Sequence, residues 1–288
     1  MRNGVLIVDK PAGMTSHDVV DRVRQIFKTK RVGHAGTLDP DATGILVLGV
    51  GRATRLLSYA QGGPKTYLAT AVLGIETSTL DASGEVTSER SVDVDLDRAR
   101  IEETTVGFLG EIDQVPPMVS AVKVDGERLY KKARRGETVE RAARRVTIYD
   151  LDVLDLRSPE LDLRISCSAG TYIRTLVADI GSQLGCGAHL KLLQRTEAGG
   201  FSLADAVPLD EITLEHLRPT TDAVTQLTSW EVDDATASRV SHGQKLELPP
   251  LDVKEDEAIA LVRGTDLLAV YRRRQDTLVP DRVLAGDG

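Results

Sequence analysis

Gly33-His34-Ala35-Gly36-Thr37-Leu38-Asp39-Pro40-Asp41-Ala42-Thr43-Gly44, followed at once by Ile45-Leu46-Val47-Leu48-Gly49-Val50, decides the reading of this chain. The second half is a short, nearly continuous apolar run between glycines, the pattern of a strand buried on both faces. The first half is a loop anchored to that strand. Its glycines permit positive φ or close approach of another molecule, and Pro40 pushes Asp39 toward an extended conformation. Asp39 is thereby held out of the sheet, toward a cleft. A competing reading makes Asp39-Pro40 a helix N-cap with proline at the first helical position. Against it, Gly44 and the apolar run arrive too soon for a helix of ordinary length. His34 in the same loop is by itself more often a structural histidine than a catalytic one.

The flanking segments carry their own signals. Residues 4–8 read as a strand and Lys10 to Gly13 as a turn. Thr15 with Asp18 forms a capping box for a helix whose face carries Val19, Val20, Val23, Ile26 and Phe27, with Lys28, Lys30 and Arg31 expected in its last turn. Downstream, Lys65 to Leu73 alternates as a strand, placing Tyr67, Ala69, Ala71 and Leu73 on one face, and runs into a polar loop, Gly74 to Gly84, that contains Asp81. A helix is expected over about 95–105, strands over 108–112 and 118–124, and a short basic helix from Glu127 to Arg135. Leu161, Leu163, Ile165 and Cys167 keep period two. The period then changes to a helical stripe of Ile173, Leu176, Val177, Ile180 and Leu184 ended by Gly185, which puts Tyr172 and Arg174 in the first turn of a helix directly after a strand. Free N–H groups there favour nearby anions.

Composition bounds the function. A chain of 288 residues with 41% apolar content has room for about two domains and a substantial core. Val5 to Val8 is too short for a signal-peptide core or a membrane span, so a cytoplasmic protein that does not enter the membrane is expected. Cys167 and Cys186 lack metal-ligand spacing and read as reduced structural thiols, and no metal cluster is visible in the sequence. The net charge of −8 is unevenly placed. Lys123 to Arg145 carries nine basic residues, Lys123, Arg128, Lys131, Lys132, Arg134, Arg135, Arg141, Arg144 and Arg145, against four acids. Such a run is either a solvated face or a phosphate-contacting arm.

Six stretches in order resemble the TruB family of RNA pseudouridine synthases: Lys10-Pro11-Ala12-Gly13-Met14-Thr15-Ser16, the Gly33-to-Gly44 loop, Lys65-Thr66-Tyr67 with the Gly74-to-Gly84 loop, Pro116-Pro117 through Lys123, Gly170 through Leu176, and Gly187-Ala188-His189-Leu190. The resemblance implies an α+β (mixed) fold around a long, largely antiparallel central sheet flanked by helices, with a catalytic domain over 1–228 and a small PUA-like β domain over 229–288. It implies a thumb-like RNA-binding segment at 116–150, with Lys10, Lys123, Arg128, Lys131, Lys132, Arg134 and Arg135 on the RNA backbone. Asp39 matches the single catalytic aspartate, as nucleophile, and Arg174 its ion partner. His34, Tyr67, Tyr172 and Leu193 match positions that receive a flipped uridine, and Asp81 a polar contact near the base.

The implied reaction isomerises uridine 55 in the T-arm of tRNA, cleaving C1′–N1, rotating the uracil and joining C1′ to C5. It changes no oxidation state, so neither metal nor organic cofactor is expected. One carboxylate could attack C1′, attack the base or deprotonate the sugar, and the residues leave these open. A single matched carboxylate argues against a two-carboxylate glycoside hydrolase. A guide-RNA-dependent synthase and a tRNA-folding chaperone without catalysis are the alternatives, and the resemblance favours a monomer.

Overall fold

The computed structural model describes residues 2–92, 96–120, 123–124, 126–128, 135, 137 and 139–284. Its contacts divide into two compact units. The first comprises Met1–Pro40, Gly44–Gly63 and Ala198–Gly288, the second Asp41–Thr43 and Pro64–Glu197.

The first unit starts with β1 (Gly4–Lys10), α1 (Ser16–Phe27), β2 (Val32–His34) and β3 (Thr43–Val50), then a 3-10 turn over Gly51–Leu56 and α2 (Leu57–Gln61). β1 and β3 pair antiparallel from Gly4 opposite Val50 to Lys10 opposite Gly44. Val5 to Val8 of β1 and Ile45 to Leu48 of β3 are apolar without interruption because this part of each strand lies between two cores. Val5, Ile7, Ile45 and Val47 point into one cluster, and Leu6, Val8, Leu46, Leu48 and Val50 into another with Val19, Val20, Val23 and Phe27 of α1. Each such side chain removed from water contributes roughly 1.5–3 kcal/mol. The Thr15–Asp18 capping box is present. The end of α1 differs from expectation: Lys28 is the C-cap at φ 51, so Lys28, Lys30 and Arg31 lie beyond the last turn, which holds Arg24.

The second unit is built on β4 (Lys65–Leu73), β5 (Ile75–Thr77), β6 (Val86–Glu89), α3 (Arg98–Val106), β7 (Gly110–Gln114), β8 (Lys123–Val124), β9 (Glu127–Arg128), β10 (Arg144–Arg157), β11 (Glu160–Cys167), α4 (Ile173–Gln183) and β12 (Ala188–Ala198). Its main sheet runs β12-β4-β11-β10-β7, with β4 to β7 antiparallel throughout. Tyr67, Ala69, Ala71 and Leu73 of β4 and Leu161, Leu163, Ile165 and Cys167 of β11 are buried. Helices α3 and α4 pack on β10 and β4 and touch each other.

Two expectations for this unit are corrected. Met118 to Ser120 is irregular, and only Lys123–Val124 is strand there; residues 121 and 122 lie outside the described residues. Glu127 and Arg128 are not the start of a helix but pair with Val124 and Lys123 in a hairpin around Gly126, at φ 82, while 129–134 lie outside the described residues. The dipeptide Asp125-Gly126 is the usual two-residue hairpin signal, and it outranks the helical propensity of the basic run behind it.

The chain returns to the first unit through β13 (Phe201–Ser202) and β14 (Val207–Pro208), which runs parallel to β1. A five-stranded sheet follows from β15 (Thr228–Glu231), β16 (Leu246–Glu247), β17 (Ala258–Arg263), β18 (Asp266–Arg274) and β19 (Thr277–Val283), with α5 (Asp234–Ser241) against it. Ile259, Leu261, Ala269 and Tyr271 face a core of this sheet's own. Ala258, Ala260, Leu267 and Val270 instead join the cluster under β1 and β3. Among the described residues no helix is long and apolar enough to cross a membrane.

Candidate active site

No helix follows Asp39-Pro40: the chain runs through a turn straight into β3, which excludes the helix-cap reading. His34 ends β2 opposite Leu48, and the Ala35 N–H donates to the Val47 carbonyl at 2.9 Å, so the loop leaves the sheet from a fixed edge. Gly36 turns it at φ 94, a left-handed conformation that glycine adopts without strain.

The residues on both sides of Asp39 are clamped. Leu38 is buried, its N–H donating to Ser16 Oγ at 2.8 Å while Ser16 Oγ donates to the Leu38 carbonyl at 3.2 Å. The Pro40 carbonyl accepts from Lys10 Nζ at 2.8 Å and from the Gly13 N–H at 3.0 Å. The half-buried Asp39 therefore has its backbone pinned at both neighbours by groups from the 10–16 segment. Lys10 spends its ammonium on three carbonyls, those of Pro11, Met14 and Pro40.

A second group of candidate residues lies within the second unit. Gly170, at φ 90, turns the chain from β11 toward α4, and Tyr172 is the N-cap, half-buried and without a side-chain cap. Arg174, 4% exposed, donates through Nη1 to Asp81 Oδ2 at 3.2 Å and through Nη2 to the Val119 carbonyl at 2.7 Å. Asp81 Oδ1 accepts from Thr79 Oγ1 at 2.6 Å and from the Ser83 N–H and hydroxyl at 3.0 and 2.5 Å. Burial alone would raise the Asp81 carboxyl; the Ser83 and Thr79 hydrogen bonds and the Arg174 charge outweigh it and hold the pKa below the ordinary value.

Leu80, the residue before Asp81, sits at φ 65, a left-handed conformation costly for a leucine. It is held there because the Leu80 N–H donates to Thr77 and its carbonyl accepts from the Leu190 N–H at 3.0 Å, while the Ala82 N–H donates back to Leu190 at 2.9 Å. This bridge ties the Asp81 loop to β12, where Leu193 is half-buried three residues on.

Tyr67 lies on β4 opposite Ile165 and is 7% exposed. Lys65, on the same buried face and opposite Cys167, was not singled out from sequence as a site residue, although a lysine on an otherwise apolar face was the available signal. Burial first, and then the Arg195 charge, push its ammonium down to about 8. Below about 8 both folded and unfolded chains carry the charge, and the burial penalty is felt in full. Between about 8 and 10.5 the folded chain sheds a proton that the unfolded chain keeps, so this residue's contribution to stability rises with pH. Lys65→Met is expected to flatten that rise, which urea midpoints taken between about pH 7 and 10 would check.

The TruB family pseudouridylate synthase N-terminal domain model matches residues 24–173, and the tRNA pseudouridylate synthase B C-terminal domain model matches 174–229. The chain belongs to the TruB family. It is 49% identical over 256 residues to a tRNA pseudouridine synthase B of Thermobifida fusca, covering 85% of this chain and 87% of the relative. To that of Geobacillus thermodenitrificans it is 43% identical over 284 residues, covering 93% and 94%. Among solved structures, a Cbf5-Nop10-Gar1 complex superposes with a TM-score of 0.78 at 26% identity, over 98% of this chain and 85% of that one. An H/ACA RNP bound to a substrate RNA containing 2′-deoxyuridine gives 0.75 at 25%, over 97% and 84%. As a TruB-family chain, the protein is a pseudouridine synthase with the mixed α+β fold expected of it.

Within this TruB-family framework one residue needs correction. Lys10, expected on the RNA backbone, is fully buried, with its three N–H groups committed to loop carbonyls. It shapes the Asp39 loop from inside. Lys10→Met is expected to cost about 2–4 kcal/mol by stranding buried carbonyls and to leave the salt dependence of RNA binding unchanged. A phosphate contact would instead shift the log–log salt slope by roughly 0.7–0.9. Arg135 is exposed but paired with Glu127 at 2.8 Å and Glu137 at 2.6 Å, so part of its charge is already answered within the protein. Lys123 and Arg128 lie in the hairpin strands, and Lys131, Lys132 and Arg134 fall outside the described residues.

Proposed function

We propose that this TruB-family enzyme isomerises uridine 55 in the T-arm of tRNA to pseudouridine, acting without a guide RNA and as a cytoplasmic monomer. The observation that carries the reading is the clamped Asp39 loop: a half-buried carboxylate whose neighbours on both sides are pinned suits charge stabilisation that needs no reorganisation during reaction. The relatives named tRNA pseudouridine synthase B, at 43–49% identity, weigh more than the Cbf5 complex at 26%, and support tRNA as substrate over the guide-dependent alternative.

In this reading Asp39 acts as the nucleophile at C1′ as the C1′–N1 bond breaks and uracil departs with the electron pair. The base rotates, C5 bonds to C1′ as the Asp39–C1′ bond breaks and frees the carboxylate, the C5 proton is removed and N1 takes up a proton, leaving an isomer of the substrate. Arg174 serves as a fixed countercharge that favours ionised carboxylates. Tyr67 and Tyr172 line the pocket for the extruded base, His34 and Leu193 shape it, and Asp81 supplies a polar contact. Tyr67 is also the group suited to carry the C5 proton. The basic 116–150 segment meets the RNA backbone, and residues 229–288 form a PUA-like module. Incubating an unmodified tRNA transcript carrying 5-tritiated uridine should release about one tritium per tRNA, also from an isolated T-arm hairpin. Release that requires an added guide RNA, or that maps elsewhere, would overturn the reading.

A further inference from the structure

Gln114 ends β7 with its side chain almost wholly buried, at 2% exposure. Its carboxamide pairs with one backbone residue in both directions: Nε2 donates to the Tyr172 carbonyl at 3.0 Å, and Oε1 accepts from the Tyr172 N–H at 2.8 Å. The partner is 58 residues away in sequence and is the N-cap of α4. A helix start usually has a Ser, Thr, Asp or Asn side chain to tie it down, and here none does. The amide does a different job, because it fixes the N-cap residue itself in an extended conformation, φ −98 and ψ 104, as a neighbouring strand would.

Two residues further on is Arg174, which reaches Asp81 and the carbonyl of Val119. Val119 and Gln114 flank Val115-Pro116-Pro117, whose Pro116 carbonyl accepts from Arg141 Nη1 at 2.9 Å. The stretch leaving β7 is thus fastened to the start of α4 at two points, the Tyr172 backbone and the Arg174 guanidinium.

We propose that Gln114 is a positioning residue for catalysis: it sets the backbone of Tyr172, and through it the direction of the Tyr172 ring in the pocket wall. The inference rests on the functional reading above, in which Tyr172 lines the pocket for the target uridine. A glutamate at 114 has the same shape and keeps the acceptor but loses the donor, setting a carboxylate oxygen against the Tyr172 carbonyl. Small misplacements of this kind away from the chemistry can slow reaction by roughly a hundredfold.

The test is the single-turnover rate at saturating tRNA transcript, with tRNA affinity from filter binding, for wild type, Gln114→Glu, Tyr172→Ala and the double variant. Gln114→Glu is expected to slow the rate by roughly 10- to 100-fold with tRNA affinity within about twofold of wild type. The two changes should be non-additive, the double variant reacting about as slowly as Tyr172→Ala, since both act through one residue. Should Gln114→Glu melt below the assay temperature, Gln114→Met, which loses both hydrogen bonds without adding charge, carries the same expectations. A wild-type rate, or effects that multiply independently, would overturn the proposal. A wild-type protein inactive on every transcript would instead overturn the functional reading itself.

Discussion

Replacing Asp39 by asparagine is expected to lower the rate of pseudouridine formation by roughly ten-thousand-fold or more, as removal of a reacting group commonly does, while tRNA binding stays within a few-fold of wild type. The substitution keeps shape and removes charge. Its neighbours are held by other groups, Leu38 by Ser16 and Pro40 by Lys10 and Gly13, so the loop should keep its form. What is lost is the fixed negative charge. Single-turnover kinetics beside filter binding separate the two effects. Comparable losses in rate and affinity would mean that Asp39 binds RNA and does not act on it.

Arg174→Met is expected to be damaging twice over. The guanidinium is buried and bridges Asp81 and the Val119 carbonyl, so its removal strands a carboxylate and a carbonyl together. Breaking a fully buried pair costs about 3–5 kcal/mol. Asp81 keeps its Thr79 and Ser83 donors and some exposure, so about 2 kcal/mol is expected here. The rate should fall roughly a hundredfold or more through the lost electrostatic support. Lysine should not restore it, because its compact ammonium lacks the planar fork whose two ends reach Asp81 and the Val119 carbonyl separately.

The pH dependence of the Arg174 variant has a definite sign. Asp81 has a depressed folded pKa, so its stabilising contribution is present above the ordinary 3.8 and lost as pH falls through the lower folded value. Without Arg174 that depression shrinks, and the variant should lose less stability on acidification than wild type does. Urea unfolding at neutral and acidic pH measures both predictions.

Much of the fold was legible where one physical rule acted alone. The Thr15–Asp18 box, the alternation of β4 and β11, and the apolar β3 each answer to local capping or to burial on one or two faces. The 14-residue β10 was not read from sequence, because register shifts between Ile148 and Asp150 and between Val153 and Asp155 break its alternation. The hairpin at Gly126 was overridden by a basic composition that suggested a helix.

The site was legible at its motif residues, less so in what holds them. Lys10 looked like a surface cation because lysine is rarely buried, yet the carbonyls of Pro11 and Met14 after β1 and of Pro40 before β3 make a cage for its ammonium. Gln114 gave no local signal at all, since its partner is the distant backbone of Tyr172.

The central claim is that Asp39 drives isomerisation at one uridine of the tRNA T-arm. Position-resolved mapping of pseudouridine in an unmodified tRNA transcript, after treatment with wild-type protein or with Asp39→Asn at equal tRNA occupancy, tests it most directly. The expected result is near-complete conversion at position 55 by wild type and none above background by the variant. Conversion at position 55 by Asp39→Asn at the wild-type rate would contradict it.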